Sequence, residues 1–321
     1  MKKRVFAKQF LRTVGTSKIR KHSHVLVVSN GKFGDFIHSI AMIEGLAKNH
    51  DVSVYTKDSN KCFNFDFAEK DFALSHNWDL IIVCADEDNI NWTGNVVYAN
   101  VIRATAKLLG KWKERHWSEF FCDIAKNYDS AFVCRFPELK KIDSEARFIV
   151  IHPGASSKDK AWSLENYLKL YLNLKNTNYK PILLVTKYDD FVREALKKRR
   201  DIDKYEIYHV SDIKHLKNIA SRTKMFIGND SGVMHYFSLF NCNIMAVFTY
   251  GCADTHYPWT KKGFFYFERP VFNAFYKNRV VTKIKLSVNA LSKEALAILK
   301  YDRLTGKQED FYVSKELMKN A

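Results

Sequence analysis

The sequence predicts an α/β protein built on two open parallel sheets, each wrapped by helices. Three observations predict it. Strand-length apolar runs alternate with stretches of helical periodicity along most of the chain. The alternation restarts after a polar, proline-containing stretch, "FPELKKIDSEA" at 136–146. The chain has 321 residues, 46% of them hydrophobic, which is enough for two cores of ordinary size. Strands joined through helices run parallel and are buried on both faces, and such sheets bind ligands at the carboxyl ends of their strands. Two Rossmann-like domains facing each other across a cleft are therefore expected.

Residues 1–24 form a basic arm. Lys2, Lys3, Arg4, Lys8, Arg12, Lys18, Arg20 and Lys21 supply eight cations and no acid offsets them, against a formal net charge of +17 for the whole chain. Lys8 and Arg12 interrupt what would be the apolar centre of a signal peptide, so the arm is read as part of the mature protein. Phe6, Phe10 and Val14 recur every four residues. That spacing suits a basic helix lying on an anionic membrane surface, and equally a solvated arm whose aromatics pack on their own domain. No apolar run reaches the ~18 residues that would suggest a membrane span.

The first domain, 25–140, reads as strands at "HVLVVS" (24–29), "DVSVY" (51–55), "DLIIVCA" (79–85) and "SAFVC" (130–134). A helix from about Asp35 to Lys48, turning Ile37, Ile40, Ala41 and Ile43 inward, completes a βαβ unit, and 99–126 reads as helix. The second domain, 147–290, reads as strands at 147–154, 181–186, 205–210, 224–229 and 243–250. Helices at 164–175, 190–199, 214–222 and 231–240 fill its gaps. The segment 291–321 opens in helical periodicity. Six cysteines are scattered without a C-x-x-C pair, a pattern of buried free thiols rather than of disulfides or a zinc site.

The chemistry concentrates in three strand-to-helix turns. "GKFGDF" places Gly31 and Gly34 where missing side chains let backbone N–H groups approach a ligand, with Asp35 at the helix start. It is neither the G-x-G-x-x-G nor the Walker pattern. Taken alone, Asp35 reads as a helix cap before it reads as a catalytic group. "FIGNDSGVMHYFSLF" (226–240) sets Asp230, Ser231 and Gly232 at a second helix start with His235 in its first turn, a place for a diphosphate or simply a capped helix. "IHPGASSKDKAWSLENYLKL" (151–170) turns at Pro153-Gly154 and brings Lys158 and Lys160, able to neutralise phosphate or merely solvated.

In this order the three segments resemble the ADP-heptose:lipopolysaccharide heptosyltransferases, glycosyltransferase family 9. "GKFGDFIHSI" resembles that family's G-D-x-x-H segment, here Gly34, Asp35 and His38. "IHPGASSKDKAW" is similar to its H-P-G turn and lysine-before-tryptophan stretch, and "NDSGVMH" to its D-[ST]-G-x-x-H motif. The resemblance implies a GT-B fold, with acceptor bound mainly by the first domain and nucleotide sugar by the second. It implies inverting, metal-independent transfer of heptose from ADP-L-glycero-D-manno-heptose to the Kdo or heptose of the lipopolysaccharide inner core. That places the enzyme in the cytoplasm, peripheral at the inner face of the cytoplasmic membrane.

By position, Asp35 matches the catalytic base, Lys160 the lysine on the donor phosphates, and Asp230, Ser231, Gly232 and His235 the donor-binding turn. Gly31, Gly34 and His38 belong to the acceptor-side turn. The acidic ribose contact falls near "KYDDF", at Asp189 or Asp190. No metal and no cofactor beyond the donor substrate are implied. Ala41 and Ser163 stand where the family usually has proline, and the terminal helix is implied to pack back across the first domain.

The chemistry needs what these residues offer: a base for the acceptor hydroxyl and positive charge for the departing diphosphate. The D-x-D at Asp86 and Asp88 reads as a solvated loop rather than a metal site. A nucleic-acid binder would account for the +17 charge and the aromatic content, but no RNA or DNA module is present. The remaining alternatives are the same fold using another nucleotide sugar, or a non-catalytic relative that only binds one.

Overall fold

The computed structural model describes residues 17–61, 63–84, 90, 92–109, 111, 115–134, 137, 146–240, 242–249, 253–260, 263–267, 275–276, 279–280 and 287–305. The chain divides into two compact units, Met1–Pro137 and Glu138–Ala321, each built on its own parallel sheet.

In the first unit His24–Val28 (β1) leads through the glycine turn into Phe33–Leu46 (α1) and back to Asp51–Tyr55 (β2). Asp66–Phe67 (β3), Lys70–Ser75 (α2), Leu80–Val83 (β4), Val96–Tyr98 (β5), Ala99–Leu108 (α3) and Trp117–Tyr128 (α4) follow. The strand order is β3-β2-β1-β4-β5, with every pairing parallel. Val25 to Val28 of the central strand are fully buried, which explains why "HVLVV" shows no polar alternation. The winding runs outward from β1 to β3 and then reverses to place β4 on the other side of β1. Ligands of open α/β sheets bind at the carboxyl ends of the two strands flanking such a reversal.

Phe36 to Ile43 of α1 are all buried, because the helix packs along α4 and Ser39 bonds back to Ser29 at the end of β1. The expected strand at 130–134 does not form. It is a turn, with the Ala131 N–H bonded to Asp129 Oδ1 at 2.8 Å and Phe132 buried. That turn folds Cys134 back onto Cys122 of α4 in a disulfide, which overturns the reading of these two as free thiols. Periodicity does not register a loop that doubles back on its own helix. Cys84 and Cys242 are free, and Cys62 and Cys252 lie outside the described residues. The helix expected over 99–126 is two, α3 and α4, while β3 and β5 are too short to carry a period.

Ahead of β1, Ser17 and Asn95 exchange hydrogen bonds of 2.9 and 3.1 Å. Ile19 N–H reaches Tyr128 O at 3.0 Å and His22 N–H reaches Asn49 O at 2.8 Å. Residues 17–23 are thus fastened to this unit. Phe6, Phe10 and Val14 lie outside the described residues.

The second unit runs Phe148–His152 (β6), Leu164–Leu174 (α5), Lys180–Thr186 (β7), Asp190–Lys197 (α6), Ile207–Val210 (β8) and Ile213–Ser221 (α7). It continues with Thr223–Asn229 (β9), Gly232–Phe237 (α8), Asn243–Phe248 (β10), Ala253–His256 (α9) and Gly263–Phe267 (β11). A short antiparallel pair, Phe275–Tyr276 (β12) and Arg279–Val280 (β13), precedes the last helix, Val288–Thr305 (α10). The large sheet is ordered β11-β10-β9-β6-β7-β8, and its winding reverses between β6 and β9. All five expected strands form here, with β11 added at the edge. The helix expected to reach residue 240 stops at Phe237, where Leu239 and Phe240 tighten to bonds on Tyr236 and Phe237. α10 seats Leu291, Ala295 and Leu299 in this unit's core, beside α5, with Asn173 Nδ2 donating to Ser292 Oγ at 3.0 Å. Among the described residues no helix is long and apolar enough to cross a membrane.

Candidate functional site

The turn between β1 and α1 is held from behind by a buried polar chain. Ser39 Oγ donates to Ser29 Oγ at 3.2 Å, Thr56 Oγ1 to Ser29 O at 2.7 Å, and Asn60 Nδ2 to Thr56 Oγ1 at 3.0 Å. In front of it, Asp35 is the third residue of α1, and its Oδ2 accepts from the Lys32 N–H at 3.1 Å. Asp35 is therefore a capping residue in the sense of a capping box. A Cβ on Gly31 would lie 3.0 Å from Asp35 Cβ and 3.1 Å from its Oδ2, so glycine there leaves the carboxylate its place.

Capping does not bury the group. Asp35 is exposed and opens on a cavity of about 420 Å³ shared with His38, Asn100, Arg103, Lys107 and Trp117. The cavity sits at the winding reversal, since Cys84, just beyond β4, is also in its wall. His38 is buried, with Nδ1 3.5 Å from Ser118 Oγ and its ring edge-on to His116 at 5.0 Å. The Arg103 guanidinium lies 4.7 Å from the centre of the Trp117 ring. One carboxylate facing a wall of cations and an aromatic ring suits an anionic sugar more than an apolar ligand.

The second unit assembles its own cluster at the reversal between β6 and β9. Asn229, the last residue of β9, is fully buried and uses every bonding position. Its amide donates to Pro153 O at 2.9 Å and Gly154 O at 3.2 Å, and its oxygen accepts from Trp162 N–H at 2.9 Å and Tyr167 Oη at 2.8 Å. This one side chain ties the Pro153-Gly154 turn to the segment carrying Lys160. Asp230 follows, with Oδ2 3.7 Å from Lys160 Nζ and Oδ1 3.5 Å from His235 Nε2. Burial pushes the Asp230 carboxyl up. The His235 hydrogen bond, with the charges of His235, His256 and Lys160, outweighs that and holds it below the ordinary aspartate value.

Ser231 caps α8, accepting from Met234 N–H at 3.2 Å, and Gly232 is the first helical residue. The structure places Gly31, Asp35 and His38 on the cavity of the first unit, with Gly34 beside them in α1, and gathers Lys160, Asp230 and His235 with Ser231 and Gly232 at the start of α8 in the second. Asp190 stands apart, exposed at the start of α6 and paired with Arg193. Its neighbour Asp189 is buried, accepting on Oδ2 from Thr186 N–H at 2.7 Å, Thr186 Oγ1 at 2.8 Å and His152 Nε2 at 3.1 Å. A Cβ on Gly154 would fall 1.9 Å from Asp189 Oδ1 and 2.7 Å from His152 Nε2, so the glycine of the turn exists for this pair.

Asn229, His256, Asn100 and Arg103 were missed by sequence reading, while Trp117, one of several tryptophans able to stack on a sugar, lines the cavity. Ser163, at a position where proline was expected, caps α5 by accepting from Asn166 N–H. Trp92, Trp162 and Trp259 are core residues. Among the described residues no group of three His, Cys, Asp or Glu could hold a metal ion, and Asp86 and Asp88 lie outside them.

The model of glycosyltransferase family 9 (heptosyltransferase) matches residues 94–269. No curated protein sequence matches. Among solved structures, the chain is similar to the glycosyl transferase family 9 protein from Veillonella parvula, at 14% identity and a TM-score of 0.63, covering 89% of this chain and 100% of that one. It is similar to E. coli ADP-heptose lps heptosyltransferase II, at 15% identity and a TM-score of 0.61, covering 87% and 99%. It is also similar to E. coli heptosyltransferase WaaC with ADP, at 11% identity and a TM-score of 0.59, covering 86% and 99%. These structures share the GT-B fold, two Rossmann-like units on parallel sheets.

Proposed function

The chain belongs to glycosyltransferase family 9, the heptosyltransferases, and from that premise we propose that it moves a heptose from ADP-L-glycero-D-manno-heptose to the inner core of lipopolysaccharide. The single observation that carries this reading is the Lys160–Asp230–His235 cluster at the winding reversal of the second sheet, a site with the charge an ADP-sugar diphosphate needs. The solved relatives include one described with ADP and one with ADP-2-deoxy-2-fluoro heptose.

Asp35 acts as the base. It takes the proton of the acceptor hydroxyl as that oxygen attacks the anomeric carbon from the face opposite the leaving group, so configuration inverts. The bond from that carbon to the diphosphate oxygen breaks, its electron pair goes to ADP, and Lys160 meets the charge that develops. Asp230 lies between Lys160 and His235 and holds both in place. Ser231 and Gly232 start the helix that lies against the phosphates. In this reading Lys160 and backbone N–H groups supply the positive charge, so turnover survives a chelator. The acceptor occupies the Asp35 cavity, with Arg103 and Lys107 facing its acidic groups, and the enzyme works peripherally at the cytoplasmic face of the membrane.

The test is the mass of defined lipid A–Kdo and heptosyl–Kdo acceptors after incubation with enzyme and ADP-heptose, with and without EDTA. A gain of one heptosyl residue is expected on one of them in both conditions. Transfer only from another nucleotide sugar, transfer that requires Mg²⁺ or Mn²⁺, or binding without transfer would each overturn part of the reading.

A further inference from the structure

We infer that the carboxyl-terminal tip of α3, Leu108 and Leu109 flanked by Lys107 and Lys111, is a docking surface for an anionic lipid bilayer. Leu108 is 82% exposed and Leu109 62%. Two adjacent leucines held in water gain nothing from the fold, and apolar side chains exposed together at a helix end mark a contact made elsewhere. The charge around them chooses the partner. From Ile90 to Lys113 the sequence contains no Asp or Glu, while Arg103, Lys107, Lys111 and Lys113 are all cations. A second copy of this chain, at +17, would bring like charges together, whereas an anionic headgroup layer complements them. Lys111, beside the apolar tip, keeps its charged head at the headgroups while the leucines enter the acyl boundary, and Lys107, on the cavity wall, stays with the Asp35 site.

The tip also lies where docking would be useful. Asn100, Arg103, Ala104 and Lys107 of the same helix line the Asp35 cavity, and Asn100 to Leu108 spans ~12 Å at the rise of an α-helix. A tip seated in the bilayer holds that cavity within about one short helix of the lipid surface. This use rests on the reading that the acceptor is lipid-linked. The docking itself does not.

The experiment is co-sedimentation of the full chain with vesicles of phosphatidylglycerol and phosphatidylethanolamine, and with neutral phosphatidylcholine vesicles, without acceptor or donor. The double variant Leu108→Gln/Leu109→Gln is expected to bind anionic vesicles about tenfold more weakly. Leu108→Phe/Leu109→Phe should bind at least as well as the parent, and Lys111→Gln about fivefold more weakly, with a flatter salt dependence. Unchanged binding of the Gln double variant at an unchanged melting temperature overturns the proposal. So does a loss of self-association in light scattering with vesicle binding intact, which would assign the tip to a second copy. Failure of the parent to transfer heptose to any acceptor would sink the functional reading and leave the vesicle result standing.

Discussion

Lys160 Nζ stands 3.7 Å from Asp230 Oδ2, a distance at which the lysine is oriented by the carboxylate without being fully neutralised by it. The lysine side chain is 38% exposed and that of the aspartate 11%, so the cation is the member of the pair that a phosphate can reach more readily. Lys160→Ala is expected to weaken ADP binding in calorimetric titration and to lower kcat as well, because its charge is needed most when the diphosphate departs. Normal values for both would remove Lys160 from the site.

Asp35 caps its helix and opens on the cavity, and two substitutions separate those roles. Asn at this position still accepts from the Lys32 N–H, so Asp35→Asn should melt near the parent temperature yet lose ~10²–10⁴-fold in turnover. Asp35→Ala should lose the same activity and about 1 kcal/mol of stability besides, the usual worth of such a cap. Near-normal turnover by Asp35→Asn would return the residue to capping alone.

Asn229 satisfies two donors and two acceptors from four different residues, all buried. Its removal strands several polar groups at once. Asn229→Ala is expected to cost about 2–4 kcal/mol in urea unfolding. Asn229→Asp, which sets a buried carboxylate oxygen against Pro153 O and Gly154 O in place of the two amide donors, should cost at least as much. A cost below about 0.5 kcal/mol for Asn229→Ala, the range of an ordinary surface substitution, would show that the Pro153-Gly154 turn is held some other way.

The contrast between Asn229 and Asp35 shows what sequence reading reaches. Asp35, Lys160 and Asp230 each interrupt a strand-to-helix passage with glycine, lysine or acid, so their oddity is local and visible. The meaning of Asn229 lies in partners 62 and 76 residues away, and no local pattern encodes them. The same holds for Arg103, Lys107 and Trp117, whose helices read as ordinary amphipathic segments until folding brings them to one cavity. The strands β6, β7 and β10 of the second unit were legible because their apolar runs are buried almost throughout. β3 was not, because two residues carry no period.

Asp189 gives the second unit an acid-sensitive contact. Burial alone would push its carboxyl up, but His152 beside it and the two Thr186 donors outweigh this and hold it below the ordinary aspartate value of 3.8. A depressed folded-state value means that the stabilisation is fully present above the unfolded value and is lost as pH falls through the folded one. The stability difference between the parent and Asp189→Asn should therefore be largest near neutral pH and shrink progressively below about pH 4. A difference that does not change between pH 7 and pH 3 would show that Asp189 is not titrating in this way.

The basic arm divides at Ser17. Residues 17–23 are stitched to the first unit through Asn95, Tyr128 and Asn49, so deleting them removes structure along with charge. Deleting only residues 1–16 takes away Lys2, Lys3, Arg4, Lys8 and Arg12 and leaves those bonds in place. Each cation near an anionic surface contributes ~1 kcal/mol, falling off with salt. The shorter deletion should therefore keep the parent melting temperature, weaken sedimentation with phosphatidylglycerol vesicles and flatten its salt dependence. The longer one, removing 1–23, should also lower the melting temperature, because Asn95 loses both partners at Ser17. Unaltered vesicle binding by the shorter deletion would mean that these five charges are solvated surface, and the membrane role of the arm would be withdrawn.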